Sequence, residues 1–344
     1  MNNLRAAQTF QRLSNIELLR IISMFCVLIV HADFGALGIP SPKELLLSPT
    51  FCITRTFFEA FAIVGVNTFI LISGWFGITF KWKGLCNLLF QCFFFTFGIY
   101  IICLIANIET LSLDGIIKCL MLSKNVWFVK AYLGLYILAP VLNTFIEKAN
   151  RKAIQRTLIC FFIFQSIYDW CSHSTDFIEC GYSTFSFIGL YLLTRYIRKY
   201  KPSWSQHKAW KDLFIYTVSS ISTACMMLLF IYLDKFAHFA RFMDYSSPLI
   251  IIAALFFLLF FNKLNIQNRI INWIAISCFA VYLQHFILFP KFMHHWIKDI
   301  ANSQTGILAT LYITGLLILF FITAILVDKI RLLIWNKLFA PNFK

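Results

Sequence analysis

Long apolar runs separated by short polar loops organise the chain from end to end. Ten can be marked, at about 16–37, 57–79, 85–107, 126–146, 154–171, 182–197, 212–233, 246–262, 271–290 and 306–328. Crossing a bilayer takes ~20 mostly apolar residues as a helix, whereas barrel strands alternate over segments of ~10. Continuous runs therefore predict helices, which satisfy their own backbone groups in lipid. The runs at 154–171 and 182–197 are short and carry polar residues, so they are the weakest spans. No repeat, low-complexity tract or soluble domain interrupts the pattern. The expectation is one all-α domain over 1–344, a polytopic membrane protein of about ten transmembrane helices. The first run is too long for a cleaved leader and no small-residue cleavage site follows it, so it is expected to stay as a signal anchor.

Composition strengthens this picture and charge orients it. The chain is 60% hydrophobic and 13% charged, against about 25% charged in ordinary soluble domains. Its net charge of +15 invites a nucleic-acid partner, but no basic, aromatic-interleaved domain exists to carry one. Bases flanking membrane spans account for it better. With the N-terminus inside, 21 of the 30 Lys and Arg fall on the inner side, Arg5, Arg12 and Lys344 among them. The loop at 171–181 carries Asp176 and Glu179 and no Lys or Arg. Both termini are thus expected in the cytoplasm of a multi-pass cell (inner) membrane protein surrounded by lipid. The 11 cysteines include no CxxC pair or zinc-like spacing, so no metal is expected. Cys171 and Cys180 flank a polar loop and form a disulfide only if that loop faces an oxidising compartment.

Polar residues inside spans are costly and mark candidate sites. Arg20 and His31 lie eleven residues apart on the first run. That is about three helical turns, so both project from one face, ~16 Å apart along the axis. On the second run Glu59 falls near the outer side, Asn67 at mid-depth and Ser73 near the inside, with Lys81 and Lys83 at the exit. Arg20, Lys81 and Lys83 then form a candidate phosphate site at the cytoplasmic mouth; the alternative is that both lysines are positive-inside anchors. His31 has two readings, a structural hydrogen-bonder between helices or a general base. Asp33 and Glu59 are its candidate acids, and Glu17 sits one turn before Arg20 as a possible ion-pair partner. His285 is at the same depth as His31 and either lines the same cavity or sits at the outer interface. His294 and His295, and Trp127 and Trp296, are read as interfacial.

Four stretches together resemble the membrane acyltransferase 3 family, bacterial polytopic enzymes acting on cell-surface glycans. They are Asn15 to His31, with Arg20, ten residues and then His31; Gly65 to Phe76; Trp127 to Pro140; and Ser277 to His285, with its Tyr282-x-x-His285 element. The family's usual Arg-x-x-Arg after the second helix is represented here only by Lys81-Trp82-Lys83. The resemblance implies transfer of an acyl group, commonly acetyl, from cytoplasmic acetyl-CoA or another acyl-CoA to a sugar hydroxyl of a polysaccharide or its lipid-linked precursor. It implies an O-acetyltransferase with no permanently bound cofactor, whose transfer finishes within the membrane unit. His31 matches the family's essential histidine, as general base or as nucleophile, and Arg20 its essential arginine. Arg20, Lys81 and Lys83 would hold the donor. Glu59, Asn67, Ser73, Trp127, Tyr132, Tyr282 and His285 are the candidate cavity residues. The alternative is a transporter or flippase, which ten spans with intramembrane Arg and His would also suit, although no paired, interrupted helices are expected in the two halves to suggest inverted repeats.

Overall fold

The computed structural model describes residues 13–121, 126–172, 174–288, 292–304, 306–339 and 341. Arg5, Arg12 and Lys344, counted above among the inner-side bases, lie outside them, as does the end of the 271–290 run. The described elements are helical: α1 (Ser14–Ala32), α2 (Pro42–Leu47), α3 (Pro49–Ala62), α4 (Gly65–Phe76), α5 (Trp82–Ile105) and α6 (Leu113–Cys119). The chain continues through α7 (Trp127–Lys148), α8 (Arg151–Gln165), α9 (Thr184–Tyr200), α10 (Ala209–Tyr232) and α11 (Phe236–Arg241). It closes with α12 (Pro248–Asn262), α13 (Arg269–Ala275), α14 (Cys278–Leu288), α15 (His294–Ser303) and α16 (Gly306–Ile334).

Every apolar run is helical, but not every run is one straight helix. Six stretches are long and apolar enough to span: Ser14–Leu37, Pro49–Phe76, Trp82–Ile105, Trp127–Lys148, Ala209–Tyr232 and Gly306–Phe339; Pro248–Asn262 is a shorter apolar helix. The second run is two helices, α3 and α4, joined at Ile63 and Val64. The 271–290 run breaks between α13 and α14, at Ile276 and Ser277. α1 ends in a wider π-helical turn, Asp33–Leu37, directly after His31; such turns recur at functional sites because they redirect side chains. The protein is an all-α, multi-pass membrane protein.

α1 is the hub, packing against α3, α4, α12, α13, α14 and α16. Its beginning is pinned by polar contacts. The Asn15 amide donates to the carbonyls of Phe261 and Leu264, both at 3.0 Å, and the Ser14 hydroxyl accepts from the Asn268 amide at 3.0 Å. Small residues bring helix backbones together, as membrane helices require where no hydrophobic force distinguishes helix from lipid. A Cβ on Gly65 would run into the Ser23 carbonyl of α1, and one on Gly74 into Tyr191 and Thr194 of α9.

A fully buried ion pair within α16 is tied to α5 through Gln91 and Asn87. Arg331 is 1% exposed and Asp328 is not exposed at all. Arg331 Nε donates to Asp328 Oδ1 at 2.9 Å, the Gln91 amide donates to the same oxygen at 2.9 Å, and Arg331 donates to Asn87 Oδ1 at 2.7 Å. Breaking such a pair leaves an uncompensated buried charge, at a cost of about 3–5 kcal/mol. Asp328→Ala should therefore melt well below the parent protein in the same detergent, while Asp328→Leu combined with Arg331→Met should recover much of the loss. Equal melting of Asp328→Ala and the parent would show that the pair ties nothing. Gly74→Leu should abolish monodisperse protein on size exclusion, since α4 and α9 can no longer meet.

Candidate active site

His31 and His285 meet. Their rings lie 4.6 Å apart, centroid to centroid, tilted by 51°. The contact joins the end of α1 to α14, elements far apart in the chain. His285 is 2% exposed, so it is a core residue and not an outer-interface one. Its Nδ1 lies 2.7 Å from the Tyr282 carbonyl. A carbonyl only accepts, so Nδ1 carries the hydrogen and Nε2 is left with its lone pair. His31, by contrast, is exposed, with the buried His285 ring against its own. His294, half-buried at the start of α15, comes within electrostatic reach of both rings. Nothing in the adjacent pair His294-His295 distinguishes the two; only the folded position of α15 does.

A wall of aromatic rings leads from this pair along α14 and α7. Tyr282 sits 5.1 Å from His285 and 5.0 Å from Phe128, and Phe128 stacks on Tyr132 at 6.1 Å and 11°. The Tyr132 hydroxyl lies 3.5 Å from the Ser73 hydroxyl, and Arg20 is within its electrostatic reach. Contacts between neighbours thus form one path from Ser73 through Tyr132, Phe128 and Tyr282 to His285 and His31, with Arg20 within reach of its Tyr132 end. Arg20 itself is half-buried and bonded to Glu17 at 2.9 Å, as its one-turn spacing predicts.

At the Arg20 end, the loop after α4 is held tightly. Tyr191 accepts from the Ile78 amide at 2.9 Å and donates to Asn143 at 2.8 Å, and Asn143 donates to the Ile78 carbonyl at 2.8 Å. The Tyr136 hydroxyl accepts from the Lys81 amide at 3.2 Å and donates to its carbonyl at 3.1 Å. Lys81 and Lys83 are exposed. The cations set against this loop are Arg195 and Arg198 of α9. The Arg195 guanidinium fills the space beside Gly77, whose φ of +78° no larger residue adopts easily. Arg195 Nε is buried with no hydrogen-bond partner among the described residues, and Arg198 donates to the Trp75 carbonyl. In the sequence both look like ordinary inner-side bases. Their one distinguishing signal is a place one or two turns inside the end of an apolar helix.

The candidate acids go elsewhere. Asp33 pairs with Arg55 at 2.5 Å, not with His31, because the π-helical turn carries it onto α3. Arg55 also bridges to the Gly38 carbonyl. Glu59 is completely buried, and neither carboxylate oxygen makes a hydrogen bond of acceptable geometry among the described residues, although the Phe34 amide approaches it. Asn67 donates to the Tyr245 carbonyl at 2.9 Å. Trp127 is packed among rings and is no simple belt residue. Cys171 and Cys180 are free thiols. An apolar groove of about 590 Å³ between α8 and α9, lined by Phe162, Leu193 and Trp204 among others, is not part of this path.

No curated protein and no solved structure matches the chain significantly. The family model described as an acyltransferase domain, that of the acyltransferase 3 family, matches residues 13–329. The match runs from the start of α1 into α16 and includes all four motif stretches, so the chain belongs to this family of bacterial polytopic membrane acyltransferases, whose donors are of the acyl-CoA type.

Proposed function

We propose that the protein moves an acyl group, acetyl in the first instance, from cytoplasmic acyl-CoA to a hydroxyl of a cell-surface glycan or its lipid-linked precursor. The observation that carries this reading is the accessible His31 ring backed by buried His285. In the proposed reaction His31 takes the proton of the acceptor hydroxyl as its oxygen attacks the thioester carbonyl. The C–S bond then breaks, and the coenzyme thiolate leaves with that proton. His285, held by Tyr282, keeps the His31 ring in one orientation. An acyl-imidazole on His31, formed by direct attack on the thioester and resolved by the hydroxyl, uses the same geometry.

The donor end follows from charge. Arg195 and Arg198 lie against the loop after α4, Arg20 comes within reach of Tyr132, and Lys81 and Lys83 are exposed; guanidinium groups suit phosphate oxygens. The coenzyme's phosphates would rest there and its thioester would extend along the Tyr132–Phe128–Tyr282 wall. Both termini would then lie in the cytoplasm with the basic end of the bundle. Solute uptake into liposomes without acyl transfer would instead favour a carrier.

General-base catalysis contributes roughly 10²–10⁴ in rate, so His31→Ala should lose that much transfer from labelled acetyl-CoA to glycan while still expressing as a monodisperse protein. Normal transfer by His31→Ala would remove it from the chemistry. Arg20→Lys keeps the charge but not the planar fork; its KM for acetyl-CoA should rise by about tenfold, equivalent to about 1.4 kcal/mol of donor binding. An unchanged KM would place the donor elsewhere.

A further inference from the structure

Three aromatic rings gather at the end of the bundle opposite Arg20. Trp127 begins α7, Tyr182 precedes α9 and Tyr245 precedes α12. Tyr182 lies 4.5 Å from Trp127 and 4.9 Å from Tyr245, and Trp127 stacks on Tyr245 at 5.8 Å and 29°. Tyr182 is 36% exposed, Trp127 is half-buried and Tyr245 is only 7% exposed. Interfacial anchors turn their rings outward to the headgroups; these turn toward one another. The rings touch, so no cation fits between them as in an aromatic cage. Tyr182 is the ring of the three that stays exposed, with Trp127 and Tyr245 packed behind it.

Behind the platform lies unspent hydrogen-bonding capacity. Glu59, Asn67, Ser246 and Ser247 are each at most 1% exposed. Both Glu59 oxygens, Asn67 Oδ1 and the two serine hydroxyls have no hydrogen-bond partner among the described residues. Each is tied to the platform: Asn67 bonds the Tyr245 carbonyl, Ser246 and Ser247 follow Tyr245 in the chain, and Glu59 is within electrostatic reach of Tyr182 and Tyr245. Asp244 is the other charged group in reach of Tyr182. Orphaned buried polar atoms cost about 1–3 kcal/mol each, and such a concentration beside an exposed ring points to an absent partner that is both hydroxylated and flat-faced.

We propose that Trp127, Tyr182 and Tyr245, backed by Glu59 and Asn67, form a sugar-binding subsite for the acceptor glycan. A pyranose ring offers a C–H face to stack on the exposed Tyr182 ring, and its hydroxyls would donate to the buried carboxylate and amide oxygens as the rings part to uncover them. The two acids in reach select a neutral or amine-bearing sugar over an acidic one. The subsite connects to the chemistry through touching rings: Trp127 lies 5.7 Å from Phe128, which contacts Tyr282 beside His285. A glycan seated there reaches toward His31 from the end opposite the donor. This inference rests on acyl transfer to a sugar for its purpose, but not for its binding test.

The test is binding of the full-length protein in nanodiscs to a printed array of neutral, amino and acidic oligosaccharides, alongside the transfer assay. The parent protein should bind neutral or amino members. Tyr182→Ala, an exposed position, should weaken that binding about two- to tenfold, as loss of one ring contact implies. Tyr182→Phe, which keeps the ring, should bind as the parent does, and Trp127→Phe should fall between. Failure of the parent to bind any glycan, preference for acidic ones, or equal binding by Tyr182→Ala would each overturn the subsite. Sugar binding lost in Tyr182→Ala with no acyl transfer by the parent would uphold the subsite and remove the acyltransferase reading.

Discussion

Lipid offers no hydrogen bonds, so each polar group on α1 has to find its partner inside the protein. That constraint shapes the whole bundle. α1 carries Asn15, Glu17, Arg20, Ser23 and His31 through an apolar environment; Glu17 and Arg20 pair with each other, while neighbouring elements receive Asn15 and His31. Its beginning is tied to the α12–α13 connection, and its end is closed by the His31–His285 contact. A helix so fixed at both ends holds Arg20 and His31 at a set separation, which is what a reaction between a donor from one side and an acceptor from the other requires.

The remaining architecture follows from letting helices approach that hub. Glycines at 65 and 74 remove the side chains that would keep α4 from α1 and α9. Aromatic residues then fill the wall between the cation end and the imidazole end. The breaks in α3–α4 and α13–α14 belong to the same logic. The first break lies between Glu59 and Asn67, and the second leaves α14, with His285, to pack against α1 on its own.

Charge is divided between the two ends in a way that matches the proposed traffic. Against the loop after α4 lie the guanidinium groups of Arg195 and Arg198. Near Trp127, Tyr182 and Tyr245 the ionisable groups are the carboxyl groups of Glu59 and Asp244. In the proposed reaction an anionic donor and an uncharged acceptor would thereby keep to separate approaches until they meet.

The periodicity and length of apolar runs by themselves determined that the chain is helical and membrane-embedded, because only helices satisfy their backbones over such lengths. The eleven-residue spacing of Arg20 and His31 determined that they share a face, and the motif order pointed to the family. Only tertiary packing decided the rest. His285 as the neighbour of His31, rather than an interface residue, depends on α14 docking against α1, a contact 254 residues apart in the chain that no local pattern encodes. Asp33 went to Arg55 because a π-helical turn rotated it away, which hydropathy does not register. Arg195 and the Trp127–Tyr182–Tyr245 platform escaped notice for the same reason: each residue looks ordinary in its own segment, and only the meeting of separate helices gives it neighbours that set its chemistry.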